Sequence, residues 1–350
     1  MHHVVNKTDL ERWCTGILEL AKVPAEDAAY TARIMLRTDS RGIRTHGITR
    51  LKSYVDKLHT GEVTAQPRIS VHGSSVGIVT VDADGALGQV AMRHALQAGL
   101  KRLEQQPMVT VLLKECGHLG ALGIYALMAA ESGAVCLLAQ RTPPLMALEG
   151  FDRPAIGNNP IAFSSPVGSK DPMVFDMACS VAARGHILLK ARQKTDIPPG
   201  WALDKAGQPT VDPESALEGA LLPSAGYKGL GIAMLVECLA GGLTATPASI
   251  AGLSGAAAVA ASGAVGRQSA FMLLIRPEAM AGQHFGDYMA QWANEYKERG
   301  GDQARLPGSR GAELERTVRE TGVINLDEVL HDELQQLAKK MHLPMPALQA

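Results

Sequence analysis

The sequence has few aromatic residues and almost no excess of charge. Aromatic side chains make up 4% of the 350 residues, the formal net charge is −1, and no run of lysine and arginine is dense enough to follow a phosphate backbone. We therefore expect no nucleic-acid partner, because binding to nucleic acid depends on clustered positive charge. Glycine is abundant, with 36 residues, so we expect close backbone packing to build much of the interior.

Long hydrophobic runs are also lacking. The best candidate for a membrane span, residues 231–243, is shorter than the ~18 apolar residues required and contains Glu237. The first residues, MHHVVNKTDLERW, lack the apolar core of a signal peptide. The five cysteines are widely spaced and form no CxxC motif, which is typical of reduced thiols. We expect a soluble cytoplasmic protein that does not associate with membranes.

Several catalytic signatures are absent. The sequence has no HExxH, no cysteine and histidine spacing suited to zinc, and no G-x-S-x-G elbow, so we expect neither a metal site nor a serine hydrolase. The Rossmann fingerprint is missing as well. GHLGALG (117–123) follows a predicted strand, but its glycines are spaced G-x-x-G-x-x-G.

Apolar periodicity predicts an α/β protein with three regions. Residues 1–67 are expected to form an N-terminal helical region, 68–305 an α/β core, and 306–350 C-terminal helices that pack back on the N-terminal region. The predicted helices span residues 8–21, 24–41, 46–59, 89–105, 119–132, 230–241, 284–299 and 311–321, with a last helix from 326 onward. The predicted strands span residues 76–81, 109–113, 134–139, 161–164, 173–177 and 270–275.

The segment RTHGITRLKSY (44–54) places His46, Arg50 and Tyr54 at intervals of four residues. In a helix these side chains would lie within roughly 80° of one another, on a stripe separate from the apolar face. That apolar face would consist of Ile48, Leu51, Val55 and Leu58. One interpretation is a solvated helix face. The other is a site for a 2-oxo or 2-hydroxy acid, in which an imidazole moves a proton and a guanidinium holds the carboxylate.

Glycine-rich turns precede several predicted helices, whose N-termini favour anions. His118 lies in the first of these turns, directly after a buried strand, and Lys228 lies between glycines in GYKGLG (226–231). DMACS (176–180) ends a strand with a carboxylate, and LPGSR (306–310) offers main-chain amides and a guanidinium. Each segment taken alone also fits a structural role, as close packing or a capped turn.

Taken in order, these segments resemble the malate/L-lactate/L-sulfolactate dehydrogenase family of NAD(P)-dependent oxidoreductases, which is distinct from the Rossmann-type lactate and malate dehydrogenases. The resemblance covers about residues 8 to 325. It rests on eight motifs: DSRGIRTHGITRLKSY (39–54), VDADGALGQ (81–89), KECGHLGALGIYA (114–126), IGNNPIAFSSP (156–166), VFDMACSVAARGHI (174–187), IPPGWALDKAGQPTVDP (197–213), LLPSAGYKGLGIAMLVECLAGGL (221–243) and LPGSR (306–310).

The resemblance implies a fold, a cofactor and a set of site residues. We expect a mixed-sheet α/β fold like that of L-sulfolactate dehydrogenase, a homodimer, and NAD or NADP bound largely by residues 115–300. His46, beside the Thr45 hydroxyl, corresponds to the proton-donating histidine, Arg50 to the carboxylate-binding arginine, and His118 to a second active-site histidine. The other expected substrate contacts are Tyr54, Asn158, Arg184 and His186. The expected cofactor contacts are His118, Gly120, Ala121, Leu122, Asp176, Met177, Ala178, Lys228, Gly229, Gly308, Ser309 and Arg310.

Three residues depart from the usual family pattern around the substrate. Thr45 replaces a serine, Asn158 replaces a threonine, and His186 stands where relatives that reduce cyclic imines carry an aspartate. We therefore expect a small carboxylic acid substrate, with linear 2-oxo and 2-hydroxy acids favoured over cyclic 2-imino acids. A nucleotide-binding protein without catalysis is the alternative from another class. The choice between NAD and NADP stays open, with Arg141 as a candidate partner for a 2′-phosphate.

Overall fold

The computed structural model describes residues 2–151, 153–245 and 267–349. In chain order, the strands are β1 His2–Asn6, β2 Ser70–Ser75, β3 Ile78–Asp82, β4 Met108–Cys116, β5 Val135–Arg141, β6 Pro144–Met146, β7 Ile156–Gly157, β8 Ile161–Val167, β9 Lys170–Met177, β10 Ala202–Leu203, β11 Pro209–Thr210, β12 Ala220–Leu221, β13 Gln268–Ile275 and β14 Val323–Asp327. The α-helices are α1 Lys7–Leu20, α2 Ala25–Ser40, α3 Leu51–Thr60, α4 Gly88–Leu103, α5 Leu122–Glu131, α6 Arg184–Gln193, α7 Pro213–Glu218, α8 Tyr227–Val236, α9 Pro277–Ala281, α10 His284–Gly300, α11 Ser309–Thr321 and α12 Glu328–Lys340.

A seven-stranded sheet in the order β2-β3-β4-β13-β5-β8-β9 lies at the centre of the described chain. Only β3 and β4 pair in parallel, and the other neighbours in this sheet are antiparallel. This mixed sheet confirms the predicted fold class, and it differs from the parallel, doubly wound sheet of a Rossmann fold. Part of the region predicted to bind the cofactor, residues 246–266, lies outside the described residues.

Strand directions bring distant segments to one edge of this sheet. Since β13 runs antiparallel to both β4 and β5, these two strands point the same way, and β9 shares their direction through β8. The carboxyl ends of β4, β5 and β9 therefore meet at the edge where β8 and β13 begin. Gln268 at the start of β13 pairs with Cys116 at the end of β4, and Ile161 at the start of β8 pairs with Met177.

Amphipathic helices cover the sheet and build the N-terminal region. Helix α1 is capped by the side chain of Asn6, which accepts hydrogen bonds from Thr8 N and Asp9 N. Its apolar residues repeat every three or four positions and are buried: Leu10, Trp13, Cys14, Ile17 and Leu18. Helix α5 is buried nearly all round, because it packs against β5, β8 and β9 while also contacting α2 and α4.

Most predicted helices and strands are present, with boundaries that differ by a few residues. The helix predicted at 119–132 begins later, at Leu122, and the helix predicted at 230–241 begins earlier, at Tyr227, and continues as a π-helical turn over Glu237–Gly242. Eight of the described strands were missed: β1, β2, β6, β7, β10, β11, β12 and β14. Of these, β1 and β14 pair antiparallel and join the two ends of the described chain. The proposed region boundaries at 67 and 305 stay predictions.

Two further sequence expectations concern the cysteines and the membrane. The five cysteines are free thiols, and four of them are buried in the structure: Cys14, Cys116, Cys136 and Cys179. Among residues 2–151, 153–245 and 267–349, no helix is both long enough and apolar enough to cross a bilayer.

An ion-pair cluster joins the N-terminal and C-terminal helices. Glu315 on α11 accepts hydrogen bonds from Arg37 Nε at 2.9 Å and from Arg41 Nη1 at 2.6 Å. Arg37 lies on α2, and Arg41 directly follows that helix. Arg41 also donates from Nη2 to the main-chain oxygen of Gly308. The Glu315 and Arg41 side chains are 17% and 7% exposed, so water screens this pair only weakly.

Replacing Glu315 with glutamine should lower the free energy of unfolding by ~1.5–3 kcal/mol, because two guanidinium groups lose a charged acceptor. Burial opposes ionisation of Glu315, but Arg41 and Arg37 hold its pKa below the ordinary 4.5. The difference in the free energy of unfolding between wild type and variant should therefore reach its full size above pH 4.5 and should shrink as the pH falls below that value. Urea denaturation at several pH values measures it. Glu313→Gln, which disrupts an exposed pair with Arg305, is the matched control and should cost less than ~1 kcal/mol.

Candidate active site

The chain from Arg44 to Arg50 forms two consecutive 3₁₀ turns, Arg44–His46 and Ile48–Arg50, and α3 begins only at Leu51. The helix predicted over 46–59 is therefore wrong in its first turn. Gly47 separates the two turns with φ −91° and ψ −134°, and a Cβ built there would overlap the carboxyl group of Asp39.

The Asp39 carboxylate holds the second of these turns. Its Oδ2 accepts a hydrogen bond from Ile48 N at 2.7 Å. Burial raises the pKa of Asp39 to about 7, although the Ile48 amide and the charge of Arg44 favour the ionised form. As a result, His46 and Arg50 are not neighbours along one regular helix, and the predicted stripe does not form as such. Both side chains nevertheless reach the same cleft.

His46 lies at the end of the first turn with its ring fixed by its neighbour. Thr45 Oγ1 is 2.8 Å from His46 Nδ1, so the threonine hydroxyl makes the contact expected of the usual serine. Burial, followed by the charges of Arg50 and His186, lowers the pKa of His46 to about 4. The imidazole is therefore neutral at pH 7 in the cleft without substrate.

His118 lies opposite His46, with the two ring centroids 5.4 Å apart. It belongs to the turn after β4, against which α4 packs so closely that a Cβ on Gly88 would overlap the His118 carbonyl group. Tyr54 OH lies 3.1 Å from His118 Nδ1, and Gln89 Nε2 donates to that phenol oxygen at 3.0 Å. Burial and the charges of His46 and Arg50 keep the pKa of His118 well below its usual value.

Tyr54 does not face the cleft, contrary to the substrate contact predicted for it. Its side chain is 2% exposed and is not part of the cleft wall. The reason is that α3 turns its apolar face inward, and Tyr54 is buried together with Leu51, Val55 and Leu58. The tyrosine therefore contacts His118 from behind.

Arg50 lines the cleft beside His46. Its Nε donates to the main-chain oxygen of Thr45 at 2.7 Å, which anchors the guanidinium against the turn that carries His46. Arg184, from the first turn of α6, lines the same cleft, and its Nη2 donates to the Leu217 carbonyl group at 3.3 Å. Two guanidinium groups in one cleft favour a ligand with negative charge.

The cleft has a volume of about 380 Å³ and lies at the sheet edge where β4, β5 and β9 end. It brings together eleven of the predicted site residues: Thr45, His46, Arg50, His118, Gly120, Ala121, Asn158, Asp176, Met177, Ala178 and Arg184. Asn158 Oδ1 accepts a hydrogen bond from Thr142 Oγ1 at 2.9 Å, and Asp176 Oδ2 accepts one from Gly123 N at 2.7 Å.

The remaining predicted site residues do not line this cleft. Leu122 is 1% exposed and packs in the core, since it begins a helix that is buried nearly all round. His186 is exposed on α6, with its ring 6.4 Å from that of Trp201. Lys228 is exposed in the first turn of α8, and Gly229 is buried where a Cβ would overlap the carbonyl group of Ser224.

The 306–310 segment lies along β9, the strand that ends at the cleft. Pro307 O accepts a hydrogen bond from Val174 N at 3.0 Å, and Gly308, with φ +88°, packs against the same valine. Ser309 begins α11, and Arg310 is exposed. These three residues are near the strand end but outside the cleft wall, so their contacts with a cofactor stay predictions.

Arg141 is not placed to contact an exposed phosphate. Its side chain is 4% exposed, and its Nε donates to Glu237 Oε1 at 2.6 Å. A guanidinium that is buried and paired in this way is poorly placed to bind a 2′-phosphate, so the structure gives no support to the suggestion made for Arg141, which stays a prediction.

Sequence reasoning missed several polar residues of the cleft wall. Gln140 Oε1 accepts from Leu119 N at 3.4 Å and its Nε2 donates to Gly117 O at 3.3 Å, so this side chain supports the turn of His118. Thr142 and Gln268 also line the cleft. The only signal for Gln140 and Thr142 was their position directly after a buried strand, and Gln268 gave none, because its approach depends on long-range strand pairing.

No group of three or more histidine, cysteine, aspartate or glutamate residues suited to a metal ion occurs within the described ranges. The cleft instead combines two imidazoles, two guanidinium groups, a carboxylate and several amides.

Several known proteins are similar in sequence to this chain. The profile of the family described as malate/L-lactate dehydrogenase matches residues 5–335. The (2R)-3-sulfolactate dehydrogenase (NADP(+)) of Chromohalobacter salexigens is 31% identical over 340 residues, which are 97% of this chain and 99% of that protein. The Delta(1)-pyrroline-2-carboxylate/Delta(1)-piperideine-2-carboxylate reductase of Pseudomonas aeruginosa is 34% identical over 291 residues, 83% of this chain and 86% of that protein.

The fold is also shared with a solved structure. The sulfolactate dehydrogenase of Methanocaldococcus jannaschii superposes with a TM-score of 0.82 at 27% identity, covering 98% of both chains. The family match, the relatives and this superposition agree with one another over nearly the whole chain. The chain belongs to the malate/L-lactate dehydrogenase family.

Proposed function

We propose that the protein is an NAD(P)-dependent oxidoreductase that moves a hydride between the nicotinamide ring and the Cα of a small 2-oxo or 2-hydroxy acid. The observation that carries the proposal is the meeting of His46, His118 and Arg50 in one cleft. Relatives named as dehydrogenases and reductases of small acids support it. A nucleotide-binding protein without catalysis would need no pair of imidazoles beside a guanidinium, so we disfavour that alternative.

The groups of the cleft fit a nicotinamide dinucleotide. The Asp176 carboxylate suits ribose hydroxyl groups, and the amides of Gln140, Asn158 and Gln268 suit a carboxamide. Gly120 has φ +83° and no heavy atom closer than 3.5 Å to a built Cβ, so a ligand can approach its backbone closely. When bound, the nicotinamide supplies or accepts the hydride. Lys228, Gly229 and the 306–310 segment remain proposed as further contacts.

Arg50 and His46 have different roles toward the acid substrate. Arg50 binds the carboxylate through its guanidinium, which favours two parallel hydrogen bonds. His46 gives a proton to the developing alkoxide during reduction and accepts the hydroxyl proton during oxidation. Since the charge of Arg50 lowers the pKa of His46, a bound carboxylate that offsets this charge would raise it. Substrate binding therefore helps to prepare His46 as a proton donor.

The charges around His46 favour an oxo acid over a cyclic imine. An imine needs its ring nitrogen protonated, and a carboxylate behind the histidine would stabilise that positive charge. The charges that shift the pKa of His46 are instead those of Arg50 and His186, and both lower it. A cyclic imino acid reductase, the activity named for one relative, is therefore the second candidate.

Arg184 extends the proposal to the rest of the substrate. It lines the same cleft as Arg50, and a second guanidinium suits an acid with a second anionic group, such as a carboxylate or sulfonate. We therefore favour malate-like over lactate-like acids.

We also propose a homodimer in the cytoplasm, on the basis of the family alone. Sedimentation equilibrium would distinguish a dimer from a monomer of 37.0 kDa.

The substrate class can be tested by following NADH and NADPH absorbance with pyruvate, oxaloacetate, sulfopyruvate and Δ1-piperideine-2-carboxylate. We expect kcat/KM to be at least ~10-fold higher for the best 2-oxo acid than for the imine, and higher for the dianionic acids than for pyruvate. The matched variant His186→Asp should shift the preference toward the imine. Turnover of the imine alone would reject the proposed substrate class.

Arg50→Lys should raise KM for the 2-oxo acid ~10-fold or more with a smaller change in KM for the cofactor, because lysine keeps the charge but loses the planar fork. Steady-state kinetics with each substrate varied in turn measures both constants. An increase confined to the cofactor would mean that Arg50 contacts the nucleotide instead.

The pH dependence should differ between the two directions, because the pKa of His46 is about 4 in the free protein. Oxidation needs neutral His46, so its kcat/KM should stay nearly constant from pH 6 to 8. Reduction needs the protonated form, so its kcat/KM should rise by nearly tenfold for each unit that the pH falls over the same range. Initial rates in both directions measure this. A reduction profile that is flat over this range would contradict the assignment of His46.

A further inference from the structure

We propose that Tyr54, oriented by Gln89, holds His118 in the tautomer protonated on Nε2, so that His118 donates a hydrogen bond into the cleft while His46 carries the proton. The catalytic meaning of this inference rests on the proposed function. The tautomer itself is a property of the protein without substrate, and it can be measured separately.

The three side chains form a buried row behind the cleft. Tyr54 on α3 is 2% exposed and Gln89 on α4 is 1% exposed, whereas His118 lines the cleft. The phenol oxygen lies 3.1 Å from His118 Nδ1 and 3.0 Å from Gln89 Nε2. Nδ1 therefore faces the protein interior, and Nε2 lies on the other edge of the ring, away from Tyr54.

The number of hydrogens available in this row of side chains decides which atom donates and which accepts in each of its hydrogen bonds. A primary amide nitrogen only donates, so the phenol oxygen accepts from Gln89. The single hydroxyl hydrogen of Tyr54 is then available for His118 Nδ1, which must be unprotonated in order to accept it. The opposite tautomer would point an N–H at the phenol and leave the buried hydroxyl hydrogen without this acceptor, which is unfavourable.

The charges around His118 keep it in this neutral form. Burial lowers its pKa well below the usual value, and the groups whose charges add to this effect are His46 on the first 3₁₀ turn, Arg50 on the second, and Lys57 on α3. A neutral imidazole with a fixed N–H can donate a hydrogen bond to a substrate oxygen without giving up its proton. This separates its task from that of His46, whose ring centroid is 5.4 Å away.

The hydrogen bond with Tyr54 explains the presence of glutamine at position 89 better than a contribution to stability does. Its Oε1 is buried and has no hydrogen-bond partner among the described residues, an arrangement that destabilises a folded protein. A leucine at this position would avoid that cost. The hydrogen bond that the glutamine makes with Tyr54 is the contact that leucine could not replace.

The test measures the tautomer directly by 15N NMR of histidine-labelled protein without substrate. Protonated and unprotonated ring nitrogens have well-separated shifts, and the His118 signals are assigned by their loss in His118→Gln. We expect Nε2 to be protonated and Nδ1 to be unprotonated at neutral pH. A protonated Nδ1 in the wild-type protein would overturn the proposal.

Gln89→Glu tests the direction of the row. A carboxylate at this position accepts the hydroxyl hydrogen of Tyr54, which leaves the phenol oxygen to accept from His118. The tautomer should therefore switch to Nδ1–H. If this folded variant keeps the wild-type tautomer of His118, Gln89 does not determine that tautomer and the proposal is refuted.

Tyr54→Phe should give a mixture of tautomers, and Tyr125→Phe is its matched control. Tyr125 is also fully buried, and its hydroxyl donates to Leu119 O at 2.8 Å, so its loss loosens the same turn without touching the His118 ring. The control should keep the wild-type tautomer. A tautomer change of the same size in both variants would show a loosened turn and would contradict the role given to Tyr54.

Kinetics then connect the tautomer with the reaction. Gln89→Glu should lower kcat by ~10- to 100-fold, with KM for the acid and Kd for the cofactor changed by less than about threefold, because binding groups stay in place. Gln89→Leu should keep the midpoint of thermal unfolding and still lower kcat. A normal kcat in Gln89→Glu with a switched tautomer would remove the catalytic role. If no 2-oxo acid is turned over, the NMR result still decides the tautomer.

Discussion

The hydrogen bond from Ile48 N to the Asp39 carboxylate is the contact on which the arrangement of the cleft depends. It holds the second of the two 3₁₀ turns, and the room it needs explains why glycine stands at position 47. Without it, the chain from His46 to Arg50 could continue α3 toward its N-terminus. The apolar face of α3 would then decide where the imidazole points. The carboxylate instead fixes His46 and Arg50 separately, each on a turn of its own.

A second constraint is electrostatic. Burial, followed by the charges of nearby groups that include Arg50, lowers the pKa of both His46 and His118, so protonation of either imidazole is disfavoured before an anion arrives. Under the proposed function, a substrate carboxylate removes part of this penalty, which couples binding at Arg50 to the proton needed at His46. On the same proposal, the cationic cleft would select acids and would make the proton transfer depend on their presence.

The sequence was sufficient for the parts that depend on local pattern. Alternating strands and helices predicted the α/β class, and the position of His118 directly after a buried strand marked it as a candidate site residue, whereas the mixed sheet and most of the other cleft residues were expected only from the family resemblance. It was not sufficient for the turn at Gly47 or for the burial of Tyr54. Regular four-residue spacing conceals a break that depends on Asp39, a residue on another helix. Gln268 shows the same limit, since its place follows from its pairing with Cys116.

Under the proposed function, one group of residues in and around the cleft carries out the reaction and another selects the acid. His46, His118 and Arg50 are each held by a hydrogen bond with a neighbouring group: the Thr45 hydroxyl, the Tyr54 hydroxyl and the Thr45 main-chain oxygen, respectively. Asn158 and Arg184 also line the cleft, on a loop and on the first turn of α6, and His186 is exposed on the same helix outside the cleft wall. Relatives of this chain act on sulfolactate and on cyclic imines. Under the proposed function, substitutions at Asn158, Arg184 and His186 would change the acid that is bound without changing the fold, which would account for that range.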